Sequence, residues 1–107
     1  MNVLEELLVV TMEECGELIQ QCSKVLRKRD ASPGGEDLDP TSLEKLEREV
    51  GDVQCMIMLM ERHGLIDHMA THHHMNSKLT KLQTWSKIAH FKSDEDKVHP
   101  GHLDVGQ

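Results

Sequence analysis

Five carboxylates hold the chemistry open to this sequence. Glu13, Glu14 and Glu17 lie in the first apolar segment, Glu49 and Asp52 in the second. Each segment has two acids three residues apart, Glu14 with Glu17 and Glu49 with Asp52. On an α-helix that spacing puts both side chains on one face, where a pair can hold one cation. At about 100° per residue, Glu14 falls between Leu7 and Val10, inside an apolar stripe, with Glu17 at its edge. Glu49 falls between Met56 and Met60 in the same way, with Asp52 at the edge. Two helices that bury these stripes against each other bring four carboxylates together. Buried carboxylates are costly without cations or protons. An all-oxygen ligand set favours Mg²⁺, or Mn²⁺, over zinc. The competing reading is a solvated acidic face, and the place of Glu14 and Glu49 inside apolar stripes weighs against it.

The elements that must position these acids are helices. Leu4, Leu7, Leu8, Thr11, Cys15, Leu18, Cys22 and Val25 recur at 3,4 spacing and predict one long helix over residues 2–29. Gly16 is its one poor helix former and is expected to allow close backbone packing near the acids. The helix ends on Lys24, Arg27, Lys28 and Arg29, cations that suit the negative end of the helix dipole. Residues 30–41 contain Ser-Pro-Gly-Gly and Asp-Pro and predict a loop. A second helix is expected from Thr41 or Ser42, with Thr41 and Glu44 as a capping box. Its stripe is Leu43, Leu46, Val50, Val53, Ile57 and Met60, and His63-Gly64 should end it. Asp67 can cap a third helix running to about Ile88. Residues 92–107 are polar, with one proline and two glycines, and predict a tail after a single domain over 1–91.

The third helix adds a weaker constellation. Lys78, Lys81 and Trp85 share one face, where lysines can meet phosphate oxygens and an indole can stack on a base. The bland alternative is a solvated lysine face with Trp85 as filler. Lys45 lies one turn before Glu49 and can reach phosphates or simply pair with that acid. His72, His73 and His74 point about 100° apart and cannot chelate one ion together. His68 and His72 have zinc-compatible spacing but lack the glutamate of an H-E-x-x-H motif.

Composition bounds the rest. The chain has 107 residues, one Trp, one Phe and no Tyr, so its core is aliphatic, which favours packed helices over a sheet. Three thin helices leave apolar surface over, which predicts a homo-oligomer. The net charge of −7 argues against binding a nucleic-acid polymer but allows a single nucleotide held through metal. Cys15, Cys22 and Cys55 make an odd count with no CxxC and lie in expected helix, as reduced core residues of a cytoplasmic protein would. No signal peptide is expected, because Glu5 and Glu6 open the chain with no basic residue. No apolar run is long enough to span a membrane.

Glu13-Glu14-x-x-Glu17-Leu18, then Glu49-x-x-Asp52, then a basic third helix, resembles the MazG-like all-α nucleoside triphosphate pyrophosphohydrolases over residues 4 to about 88. The long segment between the acid pairs and the histidine run depart from the family pattern. The resemblance implies Mg²⁺ on Glu14, Glu17, Glu49 and Asp52, with Glu13 in the outer shell. It also matches Lys78 to a phosphate-contacting position, and less closely Lys81 and Trp85. The expected fold is all-α: a long helical hairpin plus a third helix, the bundle completed as a dimer or tetramer. The expected reaction takes a nucleoside triphosphate, in the first place a dNTP, to the monophosphate and pyrophosphate. A carboxylate not fully engaged by metal, Glu13 or Glu17, would take the proton of the attacking water. The rival expectation is a non-enzymatic helical module for oligomerisation or regulation.

Overall fold

The structure is a computed structural model that describes residues 1–29 and 37–90. It contains three helices, α1 (Val3–Arg29), α2 (Pro40–Arg62) and α3 (His68–Trp85), and no strand among the described residues. The all-α expectation holds. Part of the expected loop, residues 30–36, and the expected tail, 92–107, lie outside the described residues. Among the described residues no helix is long and apolar enough to cross a membrane. The chain divides into two units, Met1–His68 and Met69–Gln107.

The first unit is an α1–α2 hairpin, with local devices at the start of α1 and at both ends of α2. Asn2 and Glu5 form a reciprocal capping box. Asn2 Oδ1 accepts from the Glu5 amide at 2.8 Å, and Glu5 Oε1 accepts from the Asn2 amide at 3.0 Å. At α2 the structure corrects the expected cap. Asp39, not Thr41, is the N-cap, and its carboxylate accepts from the Ser42 amide at 2.9 Å. Pro40 then occupies the first turn. Its φ suits a helix start and its missing N–H would have had no partner there, so Asp-Pro outcompetes the later Thr-x-x-Glu signal. The Asp39 carboxyl also meets Lys28 of α1 at 3.4 Å, an exposed pair of small energetic value.

The C-terminus of α2 is a Schellman motif. Gly64 has φ +74°, the Gly64 amide donates to the Glu61 carbonyl at 3.0 Å, and the Leu65 amide donates to the Met60 carbonyl at 2.9 Å. Gly16, by contrast, has open space where a Cβ would stand, so it serves no close packing among the described residues. The two glycines therefore predict opposite outcomes. Gly16→Ala should stabilise the chain by about 1 kcal/mol through helix propensity. Gly64→Ala should cost about 1 kcal/mol through left-handed strain. Thermal denaturation of both variants checks this, with Tm moving in opposite directions.

The apolar stripes follow the expected period, but the seam is turned by about 50° on each helix at 100° per residue. The side of α1 that meets α2 presents Leu7, Thr11, Glu14, Leu18, Gln21 and Val25, all buried or half-buried. From α2 come Ser42, Leu46, Glu49, Val53, Met56 and Met60. Of the expected stripe residues, Leu4, Leu8, Cys22, Val50 and Ile57 are exposed, and Cys22 and Cys55 are therefore not core residues. The reason is that the apolar arc of α1 is wider than one partner helix can cover. Leu8, Met12, Ile19 and Leu26 form a second, exposed stripe at 4,7,7 spacing. A helix apolar around so much of its circumference is ordinarily covered on more than one side.

The second unit carries most of α3. Its end comes at Trp85 rather than near Ile88. Thr80 and Thr84 each donate their hydroxyl to a carbonyl one turn back, at 3.1 and 3.2 Å, a local competition that weakens a helix end. The His90 ring then bonds the Gln83 carbonyl at 2.9 Å and satisfies one of the groups left orphaned there.

Candidate functional site

The turn of the seam brings the acids together. Glu14 lies on the α1 face towards α2, and Glu49 on the α2 face towards α1, both half-buried. Carboxylate oxygens of Glu14, Glu17 and Asp52 all lie within 4.8 Å of one another. That is the span of the oxygen shell around one divalent cation. Glu49 adjoins this cluster, near enough to Glu17 and Asp52 for their charges to act on its carboxyl. Glu14 Oε2 is buried with no hydrogen-bond partner. An orphaned anionic oxygen facing a cluster of other oxygens is what a hard cation would satisfy. The residues present therefore fit Mg²⁺ or Mn²⁺.

The electrostatics agree with the geometry. Burial, then the charges of Glu17, Asp52, Glu49 and Glu13, push the Glu14 carboxyl above its ordinary 4.5. Burial, then the charges of Glu17 and Asp52, push Glu49 up as well, with Lys24 opposing. A carboxyl raised in the folded state contributes stability that is fully present below 4.5 and lost as pH rises through its folded value. Asp39 goes the other way. The Ser42 amide lowers it below 3.8, so its contribution is present above that value and lost only as pH falls through its folded pKa. Metal-free protein is thus expected to melt higher at pH 5 than at pH 7. Denaturation in EDTA at both pH values tests this, and Glu14→Gln with Glu49→Gln should flatten the difference.

Glu13 is exposed beside this cluster. Lys45 lines a cleft that runs from the acids along the hairpin. Lys78, Lys81 and Trp85 belong to the second unit, whereas all five acids belong to the first. Within its unit, the Lys78 ammonium lies over the Trp85 ring at 5.8 Å from the centroid, a cation–π contact that confirms their shared face. Among the described residues the histidine run forms no three-ligand group. His68 instead bonds Glu61 at 2.9 Å through Nδ1.

Lys24, Gln21 and Arg48 were not singled out by the sequence patterns, yet they line the same cleft. Gln21 and Lys24 follow Glu17 by four and seven residues. That helical spacing is a signal for the shared face, hidden in the case of Lys24 by its reading as a dipole cation.

The chain matches no family model. No curated protein and no solved structure shows significant similarity to it.

Proposed function

We propose that the chain is a Mg²⁺-dependent nucleoside triphosphate pyrophosphohydrolase, of the MazG-like kind that its acid motifs resemble. The observation that carries this reading is the orphaned oxygen of half-buried Glu14 at the hairpin seam, gathered with the exposed carboxylates of Glu17 and Asp52. Glu14, Glu17, Glu49 and Asp52 would hold the metal. When bound, Mg²⁺ would neutralise phosphate charge and act as a Lewis acid on the reacting phosphoryl group. Exposed Glu13, or Glu17, accepts a proton from the water that attacks the α-phosphorus. Lys45, on the same hairpin as the acids, offsets charge on the phosphates. The products are a monophosphate, in the first place a deoxynucleoside monophosphate, and pyrophosphate. Free thiols at Cys15, Cys22 and Cys55 suit a cytoplasmic setting for this chemistry. The exposed stripe of α1 supports a homo-oligomer, dimer or tetramer.

Phosphorus NMR of dNTP and NTP reactions with Mg²⁺ tests the reading. Monophosphate and pyrophosphate should appear together, and orthophosphate as the first product would overturn it. The exposed apolar stripe also suits a non-enzymatic oligomerisation module. That reading predicts no turnover on any nucleotide by folded, metal-loaded protein.

A further inference from the structure

The cleft beside the acids is walled by more cations than the chemistry above uses. Lys24 of α1 and Lys45 and Arg48 of α2 line a space of about 340 Å³, whose remaining walls are Glu17, Glu49 and two glutamines. Its two sides are tied together by buried Gln21, whose Nε2 donates to the Ser42 carbonyl at 3.0 Å. Lys24 and Lys45 make no ion pair among the described residues. Arg48 pairs with Glu44 on its own helix, an exposed contact that a stronger anion can displace.

The arrangement of charge restricts what fits. Glu17 and Glu49 are shared between this cleft and the acid cluster. A bare anion in the cleft would meet two carboxylates, and a bare cation would meet three basic side chains. An anion extended along the cleft, with a divalent cation at its acidic end, satisfies both walls. A chain of phosphates has that form, because its oxygens bind a divalent cation at one end and basic side chains at the other.

We propose that Lys24, Lys45 and Arg48 form a polyphosphate cradle within the hairpin, which holds the terminal phosphates of a metal-bearing ligand next to the four acids. The identity of that ligand as a nucleoside triphosphate rests on the function proposed above; the cradle rests on the cleft. Lys24 and Arg48 thereby become binding residues, and the hairpin itself can hold the phosphate tail.

Calorimetric titration of the full chain with inorganic tripolyphosphate, in Mg²⁺ and again in EDTA, tests the cradle. Binding is expected in Mg²⁺ and should weaken at least tenfold in EDTA, where Glu17 and Glu49 repel the anion. Lys24→Ala, Lys45→Ala and Arg48→Ala should each weaken binding in Mg²⁺ by about tenfold or more, as expected for one charge-assisted contact. Arg62→Ala, at the far end of α2, should change it less than about twofold. The three cleft side chains are exposed, so the variants should keep wild-type helicity. Lys24→Arg should retain binding where Lys24→Gln loses it, which separates charge from misfolding. No binding by wild type, or cleft variants that bind as wild type does, would overturn the cradle. Nucleotide turnover is read separately. Charge-dependent tripolyphosphate binding with no nucleotide cleavage would sink the hydrolase reading and leave the cradle. Cleavage to monophosphate and pyrophosphate by wild type, with variants binding normally, would do the reverse.

Discussion

Glu49→Gln should lower Mg²⁺-dependent pyrophosphate release by on the order of a hundredfold or more, while far-UV helicity stays at the wild-type level. Glu49 sits half-buried at the seam, beside the charges of Glu17 and Asp52. An amide has the same shape as the carboxyl, so packing is kept. It cannot replace the carboxylate as a cation ligand, and the site loses one full charge of attraction. Burial and neighbouring acids hold the Glu49 carboxyl above its ordinary value. Removing its charge should therefore leave the metal-free Tm unchanged or higher at pH 7. Adding Mg²⁺ should raise the Tm of wild type and raise that of the variant less, because a ligand stabilises the fold in proportion to its affinity for it. Turnover, helicity and the two Tm values together decide the matter. Normal turnover with a lower metal-free Tm would mean that Glu49 supports the fold and not the chemistry.

Wild type should sediment as the proposed oligomer at micromolar concentration, and Ile19→Glu as a monomer of 12.2 kDa. Ile19 is 70% exposed within the chain and Met12 is 65% exposed, at the middle of the stripe that runs from Leu8 to Leu26. That stripe lies about 110° around α1 from the seam with α2, at 100° per residue. Covering it with another chain would bury several large aliphatic side chains, each contributing about 1.5–3 kcal/mol. A glutamate at the centre of such an interface adds an unpaired charge that must be desolvated. Gln20→Glu, one position away on the polar side, adds the same charge outside the stripe and should leave the assembly intact. A wild-type chain that sediments as a monomer would show that the stripe is not a self-association surface.

Helix existence and length were legible from local pattern. The 3,4 spacing marked α1 to within a residue, and His63-Gly64 stopped α2 where the Schellman motif forms. The phase of Glu14 and Glu49 relative to their neighbours was legible for the same reason. It depends only on the pitch of one helix and on residues within two turns.

Which arc of each helix becomes the seam was not legible in this way. Apolar residues surround more than half of α1, so periodicity offers two candidate seams and no means of choosing between them. Packing against α2 selects the side with Leu7, Glu14 and Gln21 and leaves Leu8, Met12 and Ile19 outside. Gln21 is accommodated there because the Ser42 carbonyl accepts its amide, a partner 21 residues away. The cleft of Lys24, Lys45 and Arg48 depends on the same pairing. Each of these residues alone reads as a helix-end or surface cation. Pairing of the two helices turns them into one wall, because the register between α1 and α2 is set by contacts distant in sequence, to which helical pitch is blind.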